Sequence, residues 1–177
     1  MYEVERLYHG TPSGIDNTVV ATERPVYFVR GQGAEPLAVG APFTLLIADT
    51  GVRSSTKVAI ERVRRAWERN RARFDALFDQ VSDIVIEARE AITCGNIAAL
   101  GPLMDENHDL LVEMGVSSPK LDDLVETARF AGALGAKLSG AGRGGCIIVL
   151  AEDDLRAEVA DALVEAGAVR VMETTVA

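Results

Sequence analysis

The sequence predicts an α+β domain, and the order of its predicted elements is the main reason. Short apolar runs typical of strands alternate with longer stretches whose apolar residues recur every three or four positions. From Phe43 onward, leaving aside additional middle helices, these elements follow the order β-α-β-β-α-β. That order is typical of a split βαβ unit, in which an antiparallel sheet carries its helices on one face. We therefore expect a ferredoxin-like domain with additional helices packed beside it.

Five short runs rich in aliphatic and β-branched residues predict the strands. They are VYFV (Val26–Val29), FTLLIAD (Phe43–Asp49), AKLS (Ala136–Ser139), CIIVL (Cys146–Leu150) and AVRVMETTV (Ala168–Val176). Glycine and proline residues punctuate the connection between the first two runs. We expect Ala136–Ser139 and Cys146–Leu150 to be adjacent antiparallel strands. We also expect Val169–Thr175 to lie in the same sheet as Phe43–Asp49.

Five longer stretches predict helices, because their apolar residues share one face at helical spacing. They are about Ser55–Phe74, Phe74–Thr93, Ile97–Met114, Pro119 to Gly135, and Asp153–Gly167. Ser118 is the expected N-cap of the fourth helix, since Pro119 suits the first helical position. The apolar stripes include Ile60 in the first helix and Val85 in the second.

The composition excludes several classes of protein. Hydrophobic residues make up 48% of the chain, which is enough for a sizeable core, and the net charge is −9. An acidic surface disfavours nucleic acid and anionic membranes as partners. Cys94 and Cys146 lack metal-ligand spacing, and His9 and His108 are too few to build a metal site. No apolar run approaches 18 residues, so we expect a soluble, cytoplasmic protein in which His108 is a surface or helix-packing residue.

A cluster of basic residues interrupts this acidic chain. Its members are Lys57, Arg62, Arg64, Arg65, Arg69, Arg71 and Arg73. At helical spacing Arg62, Arg65, Arg69 and Arg73 share a face. Phosphate steering is one interpretation, and a solvated helix face is the one that we favour.

The glycines of the stretch GAKLSGAGRGGCIIVL satisfy the spacing of a dinucleotide-binding turn. Gly140, Gly142 and Gly145 match G-x-G-x-x-G, but that motif needs a helix directly after the glycines to hold the pyrophosphate. Here a predicted strand follows, and no Gly-Lys-Ser/Thr of a Walker A loop is present. Two interpretations remain: a plain tight hairpin, or a hairpin whose backbone N–H groups are free to approach an anion.

Four segments in order along the chain resemble the mevalonate kinases of the GHMP kinase superfamily. They are HGTPSGIDN (His9–Asn17), DTGVRSSTK (Asp49–Lys57), NHDLLVEMGVSSPKLDDLV (Asn107–Val125) and KLSGAGRGGC (Lys137–Cys146). The glycine loop is shared across that superfamily, whereas GTPSGID points more narrowly to mevalonate kinases. The resemblance implies a GHMP kinase C-terminal domain and ATP-dependent phosphorylation of the mevalonate primary hydroxyl.

The resemblance also assigns roles to individual residues. It makes Asp16 the catalytic carboxylate that accepts the hydroxyl proton or orients the nucleophile. The residues implied to bind substrate are His9, Gly10, Thr11, Ser13 and Thr56. Those implied to lie at the ATP phosphates are Gly140, Ala141, Gly142, Gly144 and Gly145. Helix capping is the competing interpretation of Asp16 and Thr56. Arg143 departs from the family pattern, where glycine is common, and either adds a cation to the phosphate site or points to water.

Two parts of the family pattern are not in this chain. They are an N-terminal lysine-containing segment that binds substrate and the P-x-x-x-G-L-x-S-S-A loop that wraps the phosphates and supplies a serine to Mg²⁺. We therefore expect residues 1–24 to be a remnant of the N-terminal kinase domain and residues 25–177 to be the C-terminal domain. ATP and Mg²⁺ are the cofactors expected of the complete enzyme.

These omissions also set the expected partners and activity. The expected partners are mevalonate, ATP and the N-terminal kinase segment, and a homodimer would cover apolar surface that the segment leaves bare. We expect the chain to be inactive alone. The alternatives are another GHMP small-molecule kinase, or a non-catalytic ferredoxin-like module for binding or dimerisation.

Overall fold

The computed structural model describes residues 19–20, 24–29 and 31–177. Its strands are β1 (Val26–Val29), β2 (Gly33–Pro36), β3 (Phe43–Asp49), β4 (Gly135–Ser139), β5 (Cys146–Leu150) and β6 (Arg170–Val176). The helices that follow β3 are α1 (Thr56–Arg69), α2 (Arg71–Cys94), α3 (Leu100–Glu113), α4 (Pro119–Phe130) and α5 (Arg156–Glu165). A single 3₁₀ turn, Ile97–Ala99, precedes α3.

The main sheet has four antiparallel strands in the order β4-β5-β3-β6. This is the arrangement of a ferredoxin-like domain, so the predicted fold class is confirmed. β4 and β5 are neighbours whose pairing ends at Ser139 opposite Cys146, on the two sides of the glycine turn. β6 pairs with β3 from Phe43 opposite Val176 to Asp49 opposite Arg170. Both sheet predictions are therefore confirmed, and no helix follows Gly145, in agreement with the rejection of a dinucleotide-binding turn.

The core lies between this sheet and helices α4 and α5. Alternation along β3 buries Leu46 and Ala48 at 3% and 0% exposure, because successive side chains of a strand point to opposite faces. The largest buried side chains of this core come from both layers: Leu121, Leu124, Val125, Leu138, Ile147, Val149, Val159 and Leu163. Each fully buried leucine contributes about 1.5–3 kcal/mol of transfer free energy. This packing fixes the sheet edge from which the glycine turn projects.

Helices α2 and α3 form a second apolar cluster beside the sheet. Its buried members are Phe74, Leu77, Ile84, Leu110 and Met114. Ile60 and Val85, which the helical periodicity placed on the apolar stripes, are instead 53% and 43% exposed. The spacing was right for the stripes as a whole, but it overestimated their width. Within the described residues, no helix is long and apolar enough to cross a membrane.

Several element boundaries differ from their predicted positions. α4 ends at Phe130 rather than Gly135, because Gly132 has φ +92° and Gly135 already belongs to β4. The Ser118 side chain forms no capping hydrogen bond; its backbone carbonyl instead accepts from Leu121. α1 ends at Arg69, because the Asn70 side chain caps α2 by accepting from the Arg73 N–H. The hairpin strand β2 was not predicted, since its glycine and proline were taken as loop punctuation.

Candidate phosphate-binding site at the glycine hairpin

The turn Gly140–Gly145 joins β4 to β5, and we call it the glycine hairpin. Gly140, Gly142 and Gly145 have φ of +85°, +76° and +83°, which only glycine adopts without strain. Gly142 also lies so close to the segment after α3 that an added Cβ would be 2.1 Å from the Val116 carbonyl oxygen. Glycine is therefore required here both by backbone conformation and by the close approach of another segment.

The glycine hairpin is held from two sides. The Ser54 hydroxyl donates to the Gly142 carbonyl at 2.7 Å, and the Gly145 N–H donates to the Val52 carbonyl at 2.8 Å. From the other side, the Arg143 N–H donates to the Val116 carbonyl at 3.0 Å. A loop anchored in this way presents its remaining backbone groups in a fixed orientation.

Four backbone N–H groups of the glycine hairpin have no acceptor within the described residues. Those of Gly140, Ala141, Gly142 and Gly144 donate no hydrogen bond to any other described residue. Consecutive N–H groups in a turn with positive φ form a concave nest that binds anions. The structure thus favours the second interpretation of the glycine spacing, a hairpin that can approach an anion, and these donors fit phosphate oxygens.

The glycine hairpin borders a surface cleft of about 750 Å³, which we call the hairpin cleft. The residues lining it are Ile47, Asp49, Gly51, Val52, Arg53, Ser54, Thr56, Ser139, Gly140, Ala141, Gly144, Gly145, Cys146 and Ile148. Thr56 is the first residue of α1, where the helix dipole favours negative charge. Arg53 is exposed beside it. The cleft therefore combines bare N–H donors, a helix N-terminus and a cation on one surface.

The hairpin cleft also contains one carboxylate, Asp49, and one thiol, Cys146. The Asp49 carboxylate accepts from the Gly51 N–H at 2.8 Å, which forms the turn after β3. Burial and the charge of Asp49 raise the pKa of the Cys146 thiol. A thiol with a raised pKa stays protonated and is a poor nucleophile. Cys146 is therefore a wall of the cleft rather than a reactive group.

Lys137 belongs to the same motif but faces away from the hairpin cleft. It lines a separate cavity of about 180 Å³ with Ile84, Asn107 and others, and its Nζ donates to the Leu138 carbonyl. Burial lowers the pKa of its ammonium group. Lys137 is therefore not placed to contact a phosphate at the glycine hairpin.

Thr56 and the five predicted phosphate-site residues are brought together at the glycine hairpin. Gly140, Ala141, Gly144 and Gly145 line the hairpin cleft with Thr56, and Gly142 lies within the same turn. His9, Gly10, Thr11, Ser13 and Asp16 lie outside the described residues. Their roles stay predictions, as does the domain boundary at residue 24. In the part of the chain that the structure describes, no group of three or more His, Cys, Asp and Glu side chains could hold a metal ion.

Sequence reasoning missed the residues that support the glycine hairpin. Ser54 was not among the predicted site residues, although it bonds Gly142 across 88 residues of sequence. The Thr50 hydroxyl likewise donates to the Gly145 carbonyl at 2.8 Å and is 1% exposed. Both residues follow shortly after strand β3 in the sequence, and this position is the local feature that indicates polar side chains at the edge of the sheet.

The basic residues of α1 line a groove of about 720 Å³ on another surface, which we call the basic groove. Its cations are Lys57, Arg62, Arg65, Arg69 and Arg73. Arg73 belongs to α2, so the four arginines share the groove but not one helix. Arg65 pairs with Glu61 and Arg73 with Glu113, whereas Arg62 and Arg69 have no ion pair within the described residues. The basic face is largely solvated, and its use in phosphate steering stays a hypothesis.

Comparison with known proteins identifies the family. Residues 85–169 match the family model described as GHMP kinases C terminal. These residues belong to the GHMP kinase C-terminal family. Over 176 residues it is 38% identical to a mevalonate kinase of Thermococcus sibiricus, a match covering 97% of this chain and 52% of that protein. Over 171 residues it is 39% identical to a mevalonate kinase of Pyrococcus abyssi, covering 94% of this chain and 50% of that protein.

A solved structure shows the same similarity in three dimensions. The mevalonate kinase of L. major in complex with R-mevalonate superposes with a TM-score of 0.90 at 37% identity. That match covers 97% of this chain and 55% of the L. major chain. The chain thus spans about half the length of the relatives it matches.

Proposed function

We propose that this chain carries the C-terminal half of a mevalonate kinase, which transfers the γ-phosphate of ATP to the primary hydroxyl of mevalonate. The observation that carries the proposal is the glycine hairpin, where Gly140, Ala141 and Gly144 have N–H groups without an acceptor in the described residues and line a cleft shared with Thr56. The similarity to the L. major enzyme, a structure bound to R-mevalonate, supports mevalonate as the substrate. The cytoplasm is the proposed location, and a homodimer is a proposed assembly.

The described residues would act mainly by binding and orienting phosphate. Phosphoryl transfer depends on positioning and on stabilising charge over the phosphate oxygens. The free N–H groups of Gly140, Ala141 and Gly144 would donate to those oxygens. Arg53 would add positive charge at the cleft, and the Thr56 hydroxyl would donate to substrate or phosphate. ATP supplies the phosphoryl group, and Mg²⁺ would neutralise its charge through ligands outside the described residues.

The proton of the reacting hydroxyl needs an acceptor, and Asp16 is the proposed one. The mevalonate oxygen forms a bond to the γ-phosphorus while the bond between that phosphorus and the leaving ADP oxygen breaks. The hydroxyl proton would pass to the Asp16 carboxylate. This role rests on the GTPSGID motif alone.

A comparison of two glycine variants tests the proposal. Gly140 and Gly167 have φ of +85° and +93°, and an added Cβ at either would meet nothing within 4 Å. Alanine at either position therefore introduces similar backbone strain, but only Gly140→Ala disturbs a proposed phosphate donor. In the complete enzyme we expect Gly140→Ala to raise the KM for ATP about tenfold, equivalent to the loss of one good interaction.

The Gly167→Ala variant is the matched control, because Gly167 follows α5 and lies outside the hairpin cleft. It should lose similar stability and keep the wild-type KM for ATP. Equal KM values for ATP in the two variants would show that the glycine hairpin does not take part in ATP binding. Turnover of ATP with a different small-molecule alcohol, and none with mevalonate, would instead identify another GHMP kinase.

A further inference from the structure

Strand β4, which leads into the glycine hairpin, is an edge strand of the main sheet. It pairs with β5 only, so every second N–H group points away from the sheet. Two of these groups, on Ala136 and Leu138, donate to side chains of α3. The Ala136 N–H donates to Asp105 Oδ1 at 2.9 Å, and the Leu138 N–H donates to His108 Nδ1 at 3.2 Å. Helix α3 therefore takes the place of a missing neighbouring strand.

A close backbone contact allows those side chains to reach β4. A Cβ added to Gly101 of α3 would lie 2.1 Å from the Leu134 carbonyl oxygen. A Cβ added to Gly135 of β4 would lie 2.1 Å from the Gly101 carbonyl oxygen. Helix and strand thus touch at the start of β4, and Asp105 and His108 follow one and two turns later along the helix.

The hydrogen bonds of His108 define its protonation state. Its side chain is 4% exposed, and Nδ1 accepts from Leu138, so Nδ1 carries no proton. Nε2 therefore carries the proton and faces Asp122 Oδ1 at 3.3 Å, and Asp122 also accepts from the Ser117 hydroxyl. Burial lowers the pKa of His108, with the charge of Arg129 acting in the same direction and those of Asp122 and Asp109 opposing it.

We propose that His108 is a positioning residue for the glycine hairpin. Its Nδ1 fixes the Leu138 N–H two residues before Gly140, and Asp122 with Ser117 fixes the imidazole. Beyond the C-terminal end of α3, the Val116 carbonyl accepts from the Arg143 N–H, so this helix and the turn after it contact both β4 and the glycine hairpin. Asp105 supports the same strand at Ala136. The consequence for phosphate binding rests on the proposed function, whereas the effect on the hairpin does not.

Amide hydrogen exchange on this chain tests the positioning itself. His108→Leu removes the acceptor of the Leu138 N–H, whereas His108→Asn offers a side-chain oxygen close to the position of Nδ1. We expect the hydrogen-bonded Leu138, Arg143 and Gly145 amides of His108→Leu to exchange at least about tenfold faster than in wild type, with most protection retained in His108→Asn. Ile84→Val, in the separate α2–α3 cluster, controls for a general loss of stability.

The kinetic arm uses the complete enzyme. His108→Leu should raise the KM for ATP by about fivefold to tenfold while the KM for mevalonate stays near wild type, and His108→Asn should recover most of the loss. Unchanged exchange at Arg143 and Gly145, or equal acceleration in Ile84→Val, would overturn the positioning role. Faster exchange with an unchanged KM for ATP would leave the positioning intact and contradict the proposed phosphate site.

Discussion

Arg143 is the one non-glycine residue with positive φ, at +58°, in the described part of the chain. A residue with a Cβ at this φ is strained by about 1–2 kcal/mol in the folded state. Glycine removes the strain but raises the conformational entropy of the unfolded state, which costs about 0.5–1 kcal/mol of stability. We expect Arg143→Gly to raise the free energy of unfolding by about 0.5–1 kcal/mol, measured by urea denaturation. Lower stability of Arg143→Gly would show that the side chain makes contacts that outweigh the strain.

Arg143→Lys separates the charge of this residue from its backbone conformation. The lysine variant keeps both the cation and the strain, so its stability should match wild type. If the cation contributes to phosphate binding, the KM for ATP should rise in Arg143→Gly and not in Arg143→Lys. KM values for ATP that equal that of wild type in both variants would support the alternative in which Arg143 points to water.

The lowered pKa of His108 predicts how stability depends on pH. The unfolded state takes up a proton at the ordinary histidine pKa of 6.5, whereas the folded state resists protonation. The contribution of His108 is therefore fully present above pH 6.5 and is lost as pH falls through that value toward the lower folded pKa. Urea denaturation at pH 8 and pH 5 should show a larger loss for wild type than for His108→Asn, which cannot titrate. An equal loss in both proteins would exclude His108 as the source.

At the scale of elements, residue pattern predicted the strands better than the helix ends. The bounds of β3 and β5 match their apolar runs, because buried strands are continuous stretches of aliphatic residues. β2 was missed, since GAEP has the composition of a loop and its strand conformation depends on pairing with β1 and on the ion pair between Glu35 and Arg89. The 3₁₀ turn before α3 was also absorbed into a helix, because helical spacing does not distinguish the two.

The contact between α3 and β4 reverses the usual effect of a helical glycine. Replacing a glycine within a helix by alanine normally stabilises a protein by about 0.5–1 kcal/mol. At Gly101 the new methyl group would overlap the Leu134 backbone, which cannot move without displacing β4. We expect Gly101→Ala to lower the free energy of unfolding by about 1–3 kcal/mol, measured by urea denaturation. A more stable variant would show that α3 and β4 are not in backbone contact.

The site was predictable at the scale of motifs, but its supporting contacts were not. The glycine spacing and the strand after it predicted a hairpin, because both features are local in sequence, but they left open whether its N–H groups are free. His108 was expected at a surface or helix-packing position; it is buried against β4, so the helix-packing alternative was the correct one. Which strand a helix meets depends on the whole sheet order, and no local pattern encodes the bond between His108 and Leu138.

At the scale of the whole molecule, the described structure contains one side of the proposed phosphate site. The loop that would wrap the triphosphate and ligate Mg²⁺ has no counterpart in this sequence. We therefore expect the 177-residue chain by itself to show no mevalonate-dependent ATP turnover and to bind ATP with Mg²⁺ weakly. A coupled kinase assay measures this directly, and robust turnover by the chain alone would contradict the proposed division of the active site.

Supplying the N-terminal part, in trans or in one longer chain, should restore transfer to mevalonate. In that enzyme Asp16→Asn should lower kcat by roughly 10²–10⁴-fold, the usual contribution of a positioned general base. The KM for mevalonate should change much less, because asparagine has the same size and still forms hydrogen bonds. A loss in kcat with a near-constant KM identifies a group that acts mainly in the transition state. A near-normal kcat in Asp16→Asn would leave helix capping as the role of this carboxylate.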